Sequence, residues 1–136
     1  MTELIDYAGC SHVHTRYSDG SYRYEEILPM AREADLDFVV MTDHDDLRAL
    51  RDGWPGWHDG LLCIVGVEVS ARGGHIVAAG IDDCAGLKGL PVHQSLERIA
   101  AQGGTAFAAH PLGKSKRLFN VHLLSLIHIS EPTRPY

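Results

Sequence analysis

The sequence has little cysteine. Cys10, Cys63 and Cys84 are the three thiols, and no Cys-x-x-Cys pair occurs. An odd, widely spaced set argues against a disulfide framework or a zinc ribbon and fits a reducing, cytoplasmic setting. Long apolar runs are missing too. The longest, Leu61 to Val67, is far too short to cross a bilayer, so no membrane partner is expected. Met1 to Asp6 carries neither a basic stretch nor an apolar core, so no signal peptide is expected. Basic residues are in the minority, 12 Lys and Arg against 18 Asp and Glu, for a net charge of −6 with His neutral. That balance argues against nucleic-acid binding by bulk electrostatics. There is no Gly-x-Ser-x-Gly elbow and no Walker-type glycine loop. What is plentiful is histidine, nine residues in 136.

One domain is the expectation from length. Ile5 to His12 reads as a first strand. Tyr24 to Ala34 reads as a helix with Ile27, Met30, Ala31 and Ala34 on its apolar face, interrupted or delayed by Pro29. Asp37 to Met41 is a short strand of the buried type, and Leu47 to Arg51 is one helical turn. Gly53 to Gly56 is loop. Leu61 to Val69 and His75 to Ala79 are strands joined at Gly73-Gly74. Pro91 opens a helix with Val92, Leu96, Ile99 and Ala100 facing inward, which ends at Gly103-Gly104. Thr105 to Ala109 is a last strand. Mostly alternating βα units predict a parallel sheet or barrel.

The histidines and carboxylates fall at particular places. In an extended chain residues i and i+2 share a side, so His12 and His14 can aim both rings at one point as their strand ends. Asp19 follows in the next loop. Asp43 and His44 follow the second strand, and Glu68 lies near the end of the third. His75 starts the next strand, and His110 follows the last. Apart from His75, each sits at or just after a carboxyl-terminal strand end, the edge that carries active sites in parallel α/β folds. Glu68 is the one charge in an apolar strand end and needs a cationic partner, an arginine or a metal ion. Seven imidazole and carboxylate groups converging on one edge are, by ligand type, a multinuclear metal site. His58 and His93 are read as solvent-facing, and His122 is left open.

The segments His12-Val13-His14-Thr15 with Ser18-Asp19-Gly20, Thr42-Asp43-His44-Asp45, Gly66-Val67-Glu68, Gly74-His75-Ile76 and Ala108 with His110-Pro111 resemble the PHP (polymerase and histidinol phosphatase) family in order and context over residues 9–113. The resemblance implies an α/β fold, a distorted βα barrel of seven units when complete, with two or three divalent ions of the Mn, Zn or Fe type. Carried over by motif, His12, His14 and Glu68 hold one ion. Glu68 bridges to a second held by His75 and His110, and Asp19 and His44 hold a third. Asp43 looks like an orienter of a neighbouring ligand. Two departures stand out. Cys10-Ser11 replaces the acidic or amide residue common before the first motif, and the family's late Asp-x-His motif is absent.

Residues 124–136 stand apart. Leu124 to Arg134 reads LSLIHISEPTR and is similar to the translated reading frame of a transposase-type sequencing adapter. On that reading the tail is not native and residues 1–123 are the N-terminal portion of the domain. The barrel is then truncated, and the chain by itself is expected to be inactive.

The resemblance implies a stand-alone metal-dependent phosphoesterase. Its substrates would be small phosphorylated compounds or nucleotides, attacked by a metal-activated water. The alternatives are hydrolysis of a non-phosphate ester or carbamate on the same scaffold, or a non-catalytic metal-binding fragment. Arg16, between the histidine pair and Asp19, is either a contact for a substrate phosphate or a solvated loop residue. Lys114-Ser115-Lys116-Arg117 is either a steering patch for an anion or a solvated run.

Overall fold

A computed structural model describes residues 5–111 and the backbone of 128–130. Residues 112–123, with the basic run and His122, lie outside the described residues. The elements run β1 (Gly9–Val13), α1 (Tyr24–Glu33), β2 (Phe38–Met41), α2 (Arg48–Arg51), β3 (Gly56–His58), β4 (Leu61–Ala71), β5 (Gly74–Ala79), α3 (Val92–Ala101), β6 (Thr105–Ala109) and β7 (His128–Ser130). They form a mixed α/β fold on one sheet, ordered β1-β2-β4-β5-β6-β7, with β3 paired to β4. No helix among the described residues is long and apolar enough to cross a membrane.

β1, β2 and β4 are parallel, as the alternation of strands and helices predicts. From β4 onward the direction changes: β4 with β5 and β5 with β6 are antiparallel. The cause is the short reversal at Arg72-Gly73, since a parallel neighbour needs a crossover of a dozen or more residues. Gly73 takes φ 107°, a value that favours glycine. Gly56, expected as the end of a loop, instead opens β3, a three-residue strand antiparallel to β4. Three residues are too few for a period to show. β1 starts four residues later than expected, and Ile5 and Tyr7 are exposed. β7 pairs in parallel with the free side of β6.

β4 sets the two sides of the sheet. Leu61, Cys63, Val65, Val67 and Val69 are buried on one face, with Val39 and Met41 of β2. α1 covers this face through Tyr24, Leu28 and Ala31, and α3 covers its β5–β6 end through Val92 and Ile99. Each such aliphatic side chain contributes roughly 1.5–3 kcal/mol on burial. In α1 the buried stripe is Tyr24-Leu28-Ala31. Met30 and Ala34, expected inside, are exposed. Pro29 sits within α1 and leaves the carbonyl four residues earlier without its helical partner, yet the helix continues.

The opposite face carries Leu62, Ile64, Gly66, Glu68 and Ser70, and it is concave. β1 and β6 are four strand intervals apart, about 19 Å in a flat sheet. The rings of His12, in β1, and His110, just past β6, nevertheless stack at 5.8 Å. The sheet therefore curls until its two sides meet at the strand ends.

Candidate metal centre

The two histidines of the first motif are aimed by an irregularity in β1. Cys10 is opposite Val39 and Val13 is opposite Met41, three steps on β1 against two on β2. Val39 and Met41 both face the helices, so Val13 does too, and its neighbours His12 and His14 face the concavity. Strict alternation from Cys10 would have turned His12 outward. A bulge beside a site commonly re-aims a side chain in this way.

The second motif ties strand ends together. His44 lies opposite Glu68 in a parallel bridge. The amide of Glu68 donates to the carbonyl of Asp43 at 3.1 Å, and the amide of Asp45 donates to the carbonyl of Glu68 at 3.0 Å. Asp45 takes φ 51°, which aspartate tolerates better than most residues. Its Oδ1 accepts the amide of Ser70 at 2.8 Å, and Lys88 lies 3.2 Å from its Oδ2. Asp43 is 2% exposed. Its carboxylate accepts the Thr15 amide, the Thr15 hydroxyl and the Ser18 hydroxyl, each at 2.7 Å.

At the centre is Glu68, 1% exposed. Its Oε2 lies 2.9 Å from Nε2 of His12 and 2.9 Å from Nε2 of His14. Its Oε1 lies 2.8 Å from Nδ1 of His75 and 2.8 Å from Nε2 of His110. His75 starts its strand yet reaches this edge because β5 runs antiparallel to β4. His110 reaches it through a left-handed backbone, φ 33°. Extended continuation of the β5–β6 register would pair it with Gly74, on the far face from Glu68. Beside this inner group lies an outer one. Asp19 Oδ1 is 3.3 Å from Nδ1 of His14, and its Oδ2 is 3.6 Å from Nε2 of His44. The structure thus gathers all seven side chains singled out by sequence, His12, His14, Asp19, His44, Glu68, His75 and His110.

Hydrogen bonds alone fit this geometry poorly. Nε2 of His12 and Nε2 of His14 lie 3.0 Å apart, and both touch the same Glu68 oxygen. If both nitrogens carry protons to the carboxylate, the two N–H groups oppose each other. If one is bare, its lone pair faces an anionic oxygen. His12 Nδ1 is also buried without a hydrogen-bond partner. A cation among the three clustered atoms removes the conflict between the two Nε2 atoms and the shared Glu68 oxygen. Neighbouring donors on a tetrahedral ion lie about 3.4 Å apart for bonds of about 2.1 Å, close to the spacing found here. Three triads bring one donor atom from each residue within 4.8 Å of one another: His12-His14-Glu68, His14-Asp19-His44 and His44-Glu68-His75.

The electrostatics agree. Burial pushes the Glu68 carboxyl upward. The hydrogen bonds from His12 and His14, with the charges of His12 and His44, outweigh it and hold the group well below the usual carboxylate range. Burial pulls the His14 imidazole down, but its hydrogen bond to Glu68 and the charges of Glu68, Asp19 and Asp43 raise it above the ordinary histidine value.

Arg16 lies in the loop after β1. It is exposed, its Nε donates to the Ser21 carbonyl at 2.8 Å, and it lines a cavity of about 350 Å³ with Tyr17, Arg23, Tyr24 and Trp54. His93 is exposed as expected, but His58 is not solvent-facing. It is half-buried, and its Nε2 donates to the Trp54 carbonyl at 2.8 Å. Thr15, Ser18 and Asp45 were not singled out as parts of the site. Their positions inside the two motifs were the available signal.

No family model matches the chain. Over 94 residues it is 31% identical to the phosphoribosyl 1,2-cyclic phosphate 1,2-diphosphodiesterase of Eggerthella lenta, covering 64% of this chain and 36% of that protein. Over 112 residues it is 28% identical to an uncharacterised protein of Methanocaldococcus jannaschii, covering 74% of this chain and 65% of that one. The chain therefore spans less than two thirds of either relative. Among solved structures, a two-domain protein of Bacteroides vulgatus containing a predicted PHP-like metal-dependent phosphoesterase superposes with a TM-score of 0.66 at 21% identity. That match covers 88% of this chain and 40% of the other. A protein of Bifidobacterium adolescentis assigned as a metal-dependent phosphoesterase gives 0.65 at 14% identity, covering 91% and 74%. The chain shares its fold with these two proteins.

Proposed function

We propose that this chain carries the metal-binding edge of a metal-dependent phosphoesterase of PHP type. The observation that carries the reading is Glu68, whose two oxygens each meet two imidazoles, His12 and His14 on one side and His75 and His110 on the other. On this reading Glu68 joins two ion positions, and Asp19 with His44 lines a third. Divalent Mn, Zn or Fe suits imidazole and carboxylate donors. When bound, such ions supply Lewis acidity for phosphoryl oxygens and a water of lowered pKa. The chain's own residues provide the rest. Glu68 keeps its negative charge at neutral pH, the bulge in β1 and the backbone of His110 fix the ring directions, and the curled sheet brings both sides of the site together. Substrates are taken to be small phosphorylated compounds or nucleotides. The three free thiols fit a cytoplasmic setting.

The test is metal content and turnover together. The purified chain is loaded with Mn, Zn or Fe, passed through a desalting column and analysed for bound metal. It is then assayed on a generic phosphomonoester, a phosphodiester and a carboxyl ester. Phosphoester turnover that chelation abolishes supports the proposal. Carboxyl-ester turnover alone would move the reading to a different hydrolase. Stoichiometric metal with no turnover would match the expectation of an inactive, truncated barrel and would support only the metal-binding part of the proposal.

A further inference from the structure

We propose that Ser70 and Arg72, on the β4–β5 hairpin, are substrate-binding residues that hold phosphoryl oxygens at this edge. The inference rests on the metal-site reading above and goes beyond it in assigning substrate contacts to side chains outside the ion positions.

The hairpin stands above the rest of the edge. β1 and β2 stop at Val13 and Met41, which lie opposite each other, and Met41 lies opposite Val65. β4 runs on from Val65 to Ala71, then turns at Arg72-Gly73 and returns as β5. From Glu68 to Ala71 is about 10 Å of extended chain. A substrate seated on the Glu68 cluster would have this hairpin beside it as a wall.

The backbone decides which side chains face that substrate. The Ser70 amide donates to the Asp45 carboxylate at 2.8 Å, and the Ser70 carbonyl accepts the Gly89 amide at 2.9 Å. The Arg72 amide donates to the Leu90 carbonyl at 2.6 Å, and its carbonyl accepts the Val92 amide at 3.3 Å. Glu68, Ser70 and Arg72 thus all turn their peptide groups away from β5, and the alternation of the strand continues through Arg72. Residues two apart on such a strand share a face. Val67 and Val69 are buried on the helix side and Ala71 packs against the same core, so Ser70 and Arg72 belong to the concave side with Glu68. Ser70 lies opposite His75. With the Ser70 peptide groups turned away from β5, this is the closer kind of cross-strand pair, with Cβ atoms about 4.5–5.5 Å apart. The Ser70 side chain therefore stands beside an imidazole of the cluster, one step nearer the open end.

Both groups are uncommitted. Among the described residues the Ser70 hydroxyl makes no hydrogen bond and the Arg72 guanidinium makes no ion pair, whereas Lys88 is engaged 3.2 Å from Asp45 Oδ2. Ser70 is half-buried and Arg72 is exposed. A hydroxyl donor and a planar guanidinium fork suit an anion with several oxygens. Their backbone is already fixed by the bonds to Asp45, Gly89, Leu90 and Val92, so little ordering cost falls on binding. In a chain of net charge −6, an unpaired cation on a braced turn beside the cluster also favours entry of an anion.

The experiment uses the 136-residue chain, loaded with Zn and desalted. Inorganic phosphate is titrated calorimetrically into the native protein, Ser70→Ala, Ser70→Thr and Arg72→Gln, and Zn content is measured on each sample. Zn content should stay native throughout. Phosphate should bind at least about tenfold more weakly to Ser70→Ala and to Arg72→Gln, as when a hydrogen bond to a charged group is lost. Ser70→Thr keeps the hydroxyl and should bind like the native chain. Native phosphate affinity in Ser70→Ala or in Arg72→Gln overturns the assignment of that residue and leaves the metal reading standing. A native chain that holds Zn but takes up no phosphate overturns both assignments. Loss of Zn from Ser70→Ala, or an equal phosphate deficit in Ser70→Ala and Ser70→Thr, also overturns the role of Ser70, which would then be support of the cluster. A native chain that binds no ion would remove both this inference and the reading beneath it.

Discussion

His44 and Glu68 face each other across a parallel bridge although β2, the strand that leads to His44, ends at Met41. The ladder between β2 and β4 reaches Met41 opposite Val65, and three residues further along both chains the same register places His44 opposite Glu68. Loop and strand therefore share one geometry at the site, which makes the donor set stiff where a loop alone would be loose.

Glu68→Gln tests the centre. The substitution keeps volume and removes the charge on which five imidazoles converge, those of His12, His14, His75 and His110 at 2.8–2.9 Å and that of His44 at 3.6 Å. Loss of inner-position metal is expected, with affinity lowered more than about 100-fold, since even indirect partners reach that figure. Phosphoester turnover should fall with it. Isothermal titration with Zn, alongside the turnover assay, decides. Unchanged metal affinity would show that Glu68 is an ordinary buried ion-pair partner.

Metal removal should cost stability. An ion bound to the folded chain at about one hundred times its dissociation constant adds about 2.7 kcal/mol. The metal-loaded chain should melt higher than the same chain in chelator, and the gap should grow with free metal concentration. Superimposed melts would speak against ion binding at this edge.

The pH dependence follows from two shifted groups. His14 is raised, so the proton it holds stabilises the metal-free fold fully below the ordinary value of about 6.5. That contribution is lost as pH climbs through the raised value. Glu68 is depressed, so its contribution is present above about 4.3 and fades as pH falls through the lowered value. The metal-free chain should be most stable between about pH 4.5 and 6.5 and weaken above that window. Metal affinity should run the other way, rising with pH as the ion displaces the His14 proton. Melts in chelator and metal titrations over the same pH series test both slopes. A chelated chain that stabilises steadily toward alkaline pH contradicts the assignment.

Gly20→Ala probes the loop by sterics alone. A Cβ at this position would lie 2.1 Å from the His14 carbonyl oxygen, which is backbone and cannot swing away. The loop must open, at a cost of about 1–3 kcal/mol as in other overpacked sites, and Asp19 must move with it. Chemical denaturation should show the destabilisation, and metal analysis should show the outer ion lost first. A variant with native stability and native metal content would mean that the loop closes differently.

The sequence alone determined where donors stand along the chain. The alternation of His12 and His14, the stops after β2 and β6, and the lone charge near the end of β4 are local patterns. The strand and helix periods place them within a residue or two for α1, β2, β5 and α3. Tertiary structure decided which way those donors point. The bulge in β1 depends on pairing with β2, because an extra residue means something only against a partner of fixed length. The direction of β5 follows from how short the turn before it is, and it turned His75 from an exception into a member of the edge. His110 needed a backbone angle that no periodicity predicts. The bonds to Asp43 join residues 25 and 28 positions apart, and they form only because β1 and β2 lie side by side. Period and residue type are properties of the chain itself. Register, curl and convergence are properties of how distant pieces of it pair.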